Sequence, residues 1–278
     1  MHQQVLDIRQ NGQKIVLKRY LGPSASKRFA VTIARLTEAQ DRMRGNNLTV
    51  RVLKELPDCH TLMLSYAAGR PLQDVLQMSD AWKQLMLVHR AGQWLACLVS
   101  TTQSRPFPAW KFFAKLGGRV ATYDTDDAVD AYLVRKHMDR MHQVTRRLHL
   151  LEVSYGMTHG DFHPENLFFN EDGGRLILTG FDLEVAEPIP VVRDLAKMLV
   201  WLESFTLPGL PGFRESGIHQ PLFNSLCDGY AALTPADRLV LHFHIGEQML
   251  LFYLQSGTHR PEIRPRMALI LDRWASTA

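Results

Sequence analysis

The stretch THGDFHPENLFFNEDGGRLILTGFDLE, residues 158–184, decides how the rest of this 278-residue chain reads. It opens on turn-forming residues, enters the apolar LFF, turns at NEDGG and returns through the apolar RLILTGF. Asp161 therefore sits in a loop that leads toward a strand, with Asn166 five residues further on. A carboxylate accepts a proton, and an asparagine carbonyl is a hard oxygen ligand that adds no further negative charge. On those two residues alone a surface turn explains the pattern as well. The full string, with a strand, a turn and a second apolar strand behind it, is far more specific and favours a catalytic loop.

The segment resembles the Brenner-type catalytic loop of the aminoglycoside phosphotransferase and choline kinase group, within the protein-kinase-like fold. There HGD stands where protein kinases have HRD, and a histidine such as His163 follows shortly after. The resemblance is strong over residues 157–198, weaker elsewhere, and implies an α+β, two-lobed molecule with a small sheet-rich lobe and a larger helical one. By the same resemblance Asp161 matches the catalytic base, Asn166 a metal ligand, and His159 the histidine that helps to hold the loop. RDLAKML resembles the helix start after the metal loop, with Asp194 bracing the catalytic loop, although a capping aspartate accounts for that residue too. Phosphoryl transfer from ATP asks for little else: a lysine on the phosphates, an acid to orient it, and Mg2+ or Mn2+ to neutralise charge.

The chain on either side fits this frame. VLDI and KIVLKRY read as strands separated by the Asn11-Gly12 turn signal, and FAVTIARLTEAQDRMRG has helical spacing and ends at Gly45. LTVRVLKEL and HTLMLSYA read as two more strands about the turn PDCH. KIVLKRY resembles the strand that carries the phosphate-contacting lysine, which implies Lys18 with Lys14 as the weaker rival; Glu38, on the following helix, is the acid implied to pair with it. HTLMLSYAAGRPL is similar to the strand into the hinge, where the backbone around Leu64 and Tyr66 would meet adenine. From Gly69 onward the spacing turns helical, over PLQDVLQM, residues 80–102, residues 123–153, VVRDLAKMLVWLESF and residues 236–257. The division expected is 1–68 for the nucleotide-binding lobe and 69–278 for the helical lobe.

Two departures raise the question of competence. The kinase string L-T-D-F-G lines up without gaps on LTGFD, which puts Gly180 where the main magnesium aspartate belongs, with Asp182 and Glu184 close by. In an extended backbone residues 180, 182 and 184 share a side. Asp182 would then reach the metal from roughly 7 Å further along. The second departure is at the start, where few residues precede VLDI. The first strand and phosphate-covering loop look shortened or absent, so the phosphates would be less covered. The reading that follows is an ATP- and Mg-dependent phosphotransferase acting on a hydroxyl of a small molecule or glycan, with Asp182 beside Asn166 on the metal. The alternative is a pseudokinase binding module with an impaired metal site.

The acceptor stays open. The acidic stretch YDTDDAVD (Asp124, Asp126, Asp127, Asp130) suits a cationic acceptor or simply a helix N-terminus. Trp110, Phe112 and Phe113 suit a sugar or choline pocket or simply the core. Lys111, Lys115, Arg119, Arg135 and Lys136 suit an anionic acceptor. His242 and His244 in HFHIGE lack the spacing of a helical metal motif. A composition of 46% hydrophobic and 22% charged residues with a net charge of +4 is that of an ordinary soluble protein. No basic run supports nucleic-acid binding, and no apolar stretch of about 18 residues supports a membrane span. Cys59, Cys97 and Cys227 form no metal or disulfide pattern and, with a polar N-terminus, suggest a cytoplasmic setting. The apolar C-terminal helix is expected to be core; any exposed part would serve a homodimer or a protein partner.

Overall fold

The computed structural model describes residues 3–10, 12–99, 101–123, 125, 127–183, 185–205, 207, 214–215 and 217–277. Strands β1 (Gln3–Gln10) and β2 (Gln13–Tyr20) form an antiparallel hairpin that pairs Val5 with Lys18. Gly12 has φ 81°, a left-handed turn conformation open to glycine at little steric cost, while Asn11 lies outside the described residues. Helix α1 (Ala25–Arg42) follows, then β3 (Asn47–Thr49), β4 (Val52–Leu56) and β5 (Thr61–Ser65). The first sheet has the order β1-β2-β5-β4.

The expectation of one strand over LTVRVLKEL is corrected. The segment is split at Val50 and Arg51, and its two halves serve different sheets. β4 joins the first sheet, whereas β3 runs parallel to β10 (Arg175–Gly180) in a second one. The cause is local: Val50 gives its N–H to the carbonyl of Gly180 at 3.1 Å, which draws the chain out of line. That second sheet runs β3-β10-β9-β6, with β9 (Leu167–Asp172) and the short β6 (Arg70–Pro71). β9 and β10 pair about the NEDGG turn as read from the sequence.

The remainder is helical. α2 (Leu72–Gln77) and α3 (Ala81–Leu98) lead to β7 (Thr102–Pro106), so the helix expected to reach residue 102 stops earlier. α4 (Ala109–Ala121) and α5 (Ala128–Leu148) follow; the latter ends short of β8 (Glu152–Gly156), which pairs with both β7 and β11 (Ile189–Pro190). α6 (Val192–Ser204), α7 (Gln220–Tyr230), α8 (Pro235–His259) and α9 (Arg264–Ser276) close the lobe. α8 is capped by a reciprocal Thr234–Asp237 box, and Val240, Leu241, Phe243, Met249, Leu250 and Tyr253 along it are buried. Its role is core, and no described helix is long and apolar enough to cross a membrane.

Burial leaves a pH signature in this core. His137 and His159 are fully enclosed and His242 lies against Trp274; desolvation pushes each of them down to about 4. An unfolded histidine titrates near 6.5, so between pH 6.5 and 4 the unfolded chain binds protons that the folded one refuses. Stability should therefore fall as pH drops through that window, by up to about 1.4 kcal/mol per pH unit for each histidine. Urea melts at several pH values between 7.5 and 4.5 check this; an unchanged midpoint would contradict the burial assigned to these rings.

Candidate active site

Lys18 and Val16 share the inner face of β2, and Thr32 and Leu36 lie one turn apart on the facing side of α1. With Leu64, Tyr66, Phe168, Phe181 and Asp182 they line a cavity of about 320 Å³. Gln3, Val5 and Asp7, alternate residues of β1, line it as well. The volume and the apolar walls with few polar groups suit a nucleoside-sized ligand. Tyr66 and Ala67 lie just beyond the last ladder pair of β5, Ile15 with Ser65, so their backbone groups are outside the strand pairing at the cavity edge. Lys14 is on that edge too, with its ammonium 4.8 Å from the centre of the Tyr66 ring.

Lys18 is buried, and its ammonium pairs with the carboxylate of Asp182. This corrects the partner expected for it. Glu38 instead binds Arg35 and Arg42, three residues before and four after it on one helix face. The face of α1 turned to the cavity offers Thr32, whose hydroxyl accepts from Tyr20 at 2.7 Å. Glu38 acts at one remove: the Arg35 it holds donates to the carbonyl of Thr158 at 2.9 Å, at the entrance to the catalytic loop. Burial lowers the pKa of Arg35, and Glu38 opposes that change.

The gapless alignment of LTGFD on the kinase metal motif is also corrected. β10 ends at Gly180, and Asp182 has φ 69°, so the extended run assumed for residues 180 to 184 does not continue. Glu184 lies outside the described residues. A Cβ on Gly180 would stand 2.1 Å from Trp94 Cζ2, in the buried interior. Position 180 thus faces an indole and has no room for a carboxylate, whereas Asp182 stands in the cavity wall.

The loop itself is held from several sides. Gly160 has φ 83°, and a Cβ there would lie 1.8 Å from Val185 Cγ2, so conformation and space both demand glycine. Buried Asp194 accepts the N–H of His159 at 2.8 Å and that of Gly160 at 3.0 and 3.1 Å. His159 accepts the N–H of Asp161 at 3.3 Å, and its ring packs beside Trp94 and Phe162. Its contact is with the loop backbone, and its ring is buried.

Asp161 is held by three side chains. Lys197 pairs with Oδ1, His163 Nε2 is 3.4 Å from Oδ2, and Asn166 Nδ2 reaches the Asp161 carbonyl at 2.9 Å and Oδ2 at 3.3 Å. Burial alone would raise this carboxyl, but the hydrogen bond from His163 and the charge of Lys197 hold it well below the ordinary carboxylate range. It is an ionised acceptor across the whole working pH range. His163 is fixed in turn by stacking on Trp201 at 3.8 Å. Neither Lys197 nor Trp201 stood out in the sequence, where both read as ordinary residues of α6.

The groups considered for the acceptor fall elsewhere. Asp127 caps α5, and Asp130 is engaged by Arg264, Tyr123 and Tyr253; Asp124 and Asp126 lie outside the described residues. Arg135 and Lys136 line a separate surface hollow, and Lys111, Lys115 and Arg119 belong to α4. Phe112 packs on Phe107 and His244, and Trp110 and Phe113 on His142. His244 is buried against Glu247, and among the described residues no three His, Cys, Asp or Glu side chains cluster as a metal centre.

The donor set does suit a hard cation at another point. Asn166 directs its amide N–H groups to Asp161, which leaves its amide oxygen for a metal, and Asp182 offers a partly exposed carboxylate. Two oxygen ligands completed by water and phosphate oxygens match magnesium.

The sequence model described as the phosphotransferase enzyme family, APH, matches residues 3–235. No curated protein matches the chain significantly. Among solved structures, a microcompartment-associated aminopropanol kinase superposes with a TM-score of 0.63 at 16% identity, covering 99% of this chain and 88% of that one. A choline/ethanolamine kinase family protein from Mesorhizobium loti gives a TM-score of 0.59 at 15% identity, with 98% and 86% covered. The GDP complex of aminoglycoside 2'-phosphotransferase-IIIa gives 0.60 at 13% identity, with 98% and 89% covered. The fold is the protein-kinase-like one that these structures share.

Proposed function

The chain belongs to the phosphotransferase enzyme family, and on that premise we propose that it transfers the γ-phosphoryl group of ATP, with Mg2+ or Mn2+, to a hydroxyl of a small molecule or glycan. The observation that supports this most is the pair Lys18–Asp182 in the wall of a nucleoside-sized cavity whose other wall residues are largely apolar. In this reading Leu64 and the backbone at Tyr66 receive the base, and Lys18 turns from Asp182 to the α- and β-phosphates. Asn166 and Asp182 would hold the metal, whose charge would offset that of the phosphates. Asp161 takes the acceptor's proton while the acceptor oxygen bonds to the γ-phosphorus. The bond from that phosphorus to the β–γ bridging oxygen breaks, and ADP leaves. Asp194, His159 and the Glu38–Arg35 pair keep the loop in register for that attack. The free cysteines Cys59, Cys97 and Cys227 fit a reducing, cytoplasmic setting.

One observation favours a second reading, nucleotide binding without turnover. α1 turns Thr32 rather than an acid toward the cavity that Lys18 lines, and its Glu38 is held by Arg35 and Arg42. A thermal shift with a non-hydrolysable ATP analogue, with and without Mg2+, separates the readings when followed by an assay for ADP release across a panel of alcohols. A ligand at about a hundred times its Kd adds roughly 2.7 kcal/mol to the folded state, enough to move the midpoint by several degrees. The expected result is a metal-dependent rise that Asp182→Ala removes. A rise without metal dependence and without turnover would favour the binding module, and no rise at all would dismiss both.

A further inference from the structure

Beside the catalytic loop a small cavity of about 100 Å³ opens between α6 and α8, bounded by Gly160 of the loop and by Arg193, Lys197, Gln248, Phe252 and Gln255. Its lining carries two cations and one carboxylate, Asp194. Lys197 and Arg193 are cations, each about a quarter exposed. The nearby acids are already engaged. Asp194 has both oxygens on loop N–H groups, and the buried Glu247 is shared between Arg193 and His244. Arg193 donates to Glu247 through Nε and Nη2, which leaves Nη1 without a partner among the described residues. Buried Gln248, whose Nε2 donates to Glu247 at 3.5 Å, stands in the same wall. Arg193 Nη1 and the Lys197 ammonium are the donors this cavity offers, and arginine and lysine donors are the usual recognition chemistry for a phosphate or carboxylate.

We propose that this cavity is the acceptor's anion subsite, so that the alcohol phosphorylated by this protein carries a phosphate or carboxylate group close to its reacting hydroxyl. The inference rests on the phosphotransferase reading and deepens it. Lys197 gives the subsite a second consequence, because the same ammonium now pairs with Asp161. An anion seated between Arg193 and Lys197 draws the lysine off Oδ1 and frees that oxygen to accept the acceptor's O–H. A cationic acceptor finds no spare carboxylate among the described lining residues and leaves Lys197 on Asp161. An anionic acceptor, one of the classes left open by the sequence on Lys111, Lys115, Arg119, Arg135 and Lys136, is thus proposed on different residues.

The γ-phosphate of the nucleotide is a second source of the same chemistry, and the test separates the two. Melting midpoints are recorded first with the ATP analogue and Mg2+ alone. The saturated complex is then titrated with inorganic phosphate, glycerol 3-phosphate or choline at constant ionic strength. Phosphate and glycerol 3-phosphate should give a further saturable rise that choline does not. Arg193→Gln and Lys197→Gln should each weaken it about tenfold while keeping the nucleotide shift, which shows that the variants are folded. A nucleotide shift with no anion effect overturns the subsite. So does an anion effect that appears only without nucleotide and is displaced by the analogue, since the cavity then serves the γ-phosphate. A missing nucleotide shift overturns the phosphotransferase reading itself, and the acceptor subsite with it.

Discussion

Asp161→Asn should lower turnover by roughly 10²- to 10⁴-fold, the range lost with a general base, while the nucleotide-dependent thermal shift stays unchanged. The carboxylate accepts from Asn166 and His163 and pairs with Lys197, so its task at this point is acceptance. An amide of the same shape keeps one acceptor oxygen but cannot take up a proton, and it turns an N–H toward donors. Because the side chain is 46% exposed, the fold tolerates the exchange. Single-turnover measurements of ADP formation with the acceptor, beside thermal shifts with analogue and metal, test both halves. Turnover that persists undiminished would remove Asp161 from the mechanism.

Gly180→Asp carries the largest expected effect on stability. Its Cβ would press on the indole of Trp94, a wholly buried ring that donates Nε1–H to the carbonyl of Leu48 at 2.8 Å and stacks on Phe162 at 5.8 Å. Displacing that ring disturbs β3 on one side and the catalytic loop on the other. Overpacking together with an unpaired buried carboxylate is expected to cost about 3 kcal/mol or more. Gly180→Ala isolates the steric part and should also destabilise, because the first added atom already collides. Urea denaturation reads both. A Gly180→Asp protein with an unshifted midpoint and tighter Mg2+ binding would show that position 180 is a vacated ligand site after all.

Much of this was legible because chemistry and local structure coincide in HGDFHPEN, where the turn residues, the acid and the amide all lie within eight positions. The mistakes lie where tertiary neighbours decide. Gly180 matched a kinase aspartate by counting letters, and only the indole packed against it shows why no side chain fits there. The order of elements alone pairs Glu38 with Lys18. Its helical phase with Arg35 and Arg42 was readable and would have put it on another face from Thr32 and Leu36. Lys197 carries no signal of its own in RDLAKML, although it follows Asp194 by three residues, one turn along the face that meets the loop. LTVRVLKEL gave no internal sign of a break, since both halves are equally strand-like and only the carbonyl of Gly180 divides them.

The division of LTVRVLKEL also bears on what this protein is as a unit. Three residues from the first lobe are laid along β10 of the second, and the carbonyl of Leu48 is tied to the indole of Trp94 in α3. The two lobes are therefore seamed by main-chain bonding as well as joined by a linker. Severing the chain near residue 68 would strip one edge of β10 of its partner and leave the Trp94 N–H without its acceptor inside an apolar core. The first lobe is a lobe by shape only; in folding terms it has given away one of its own strands.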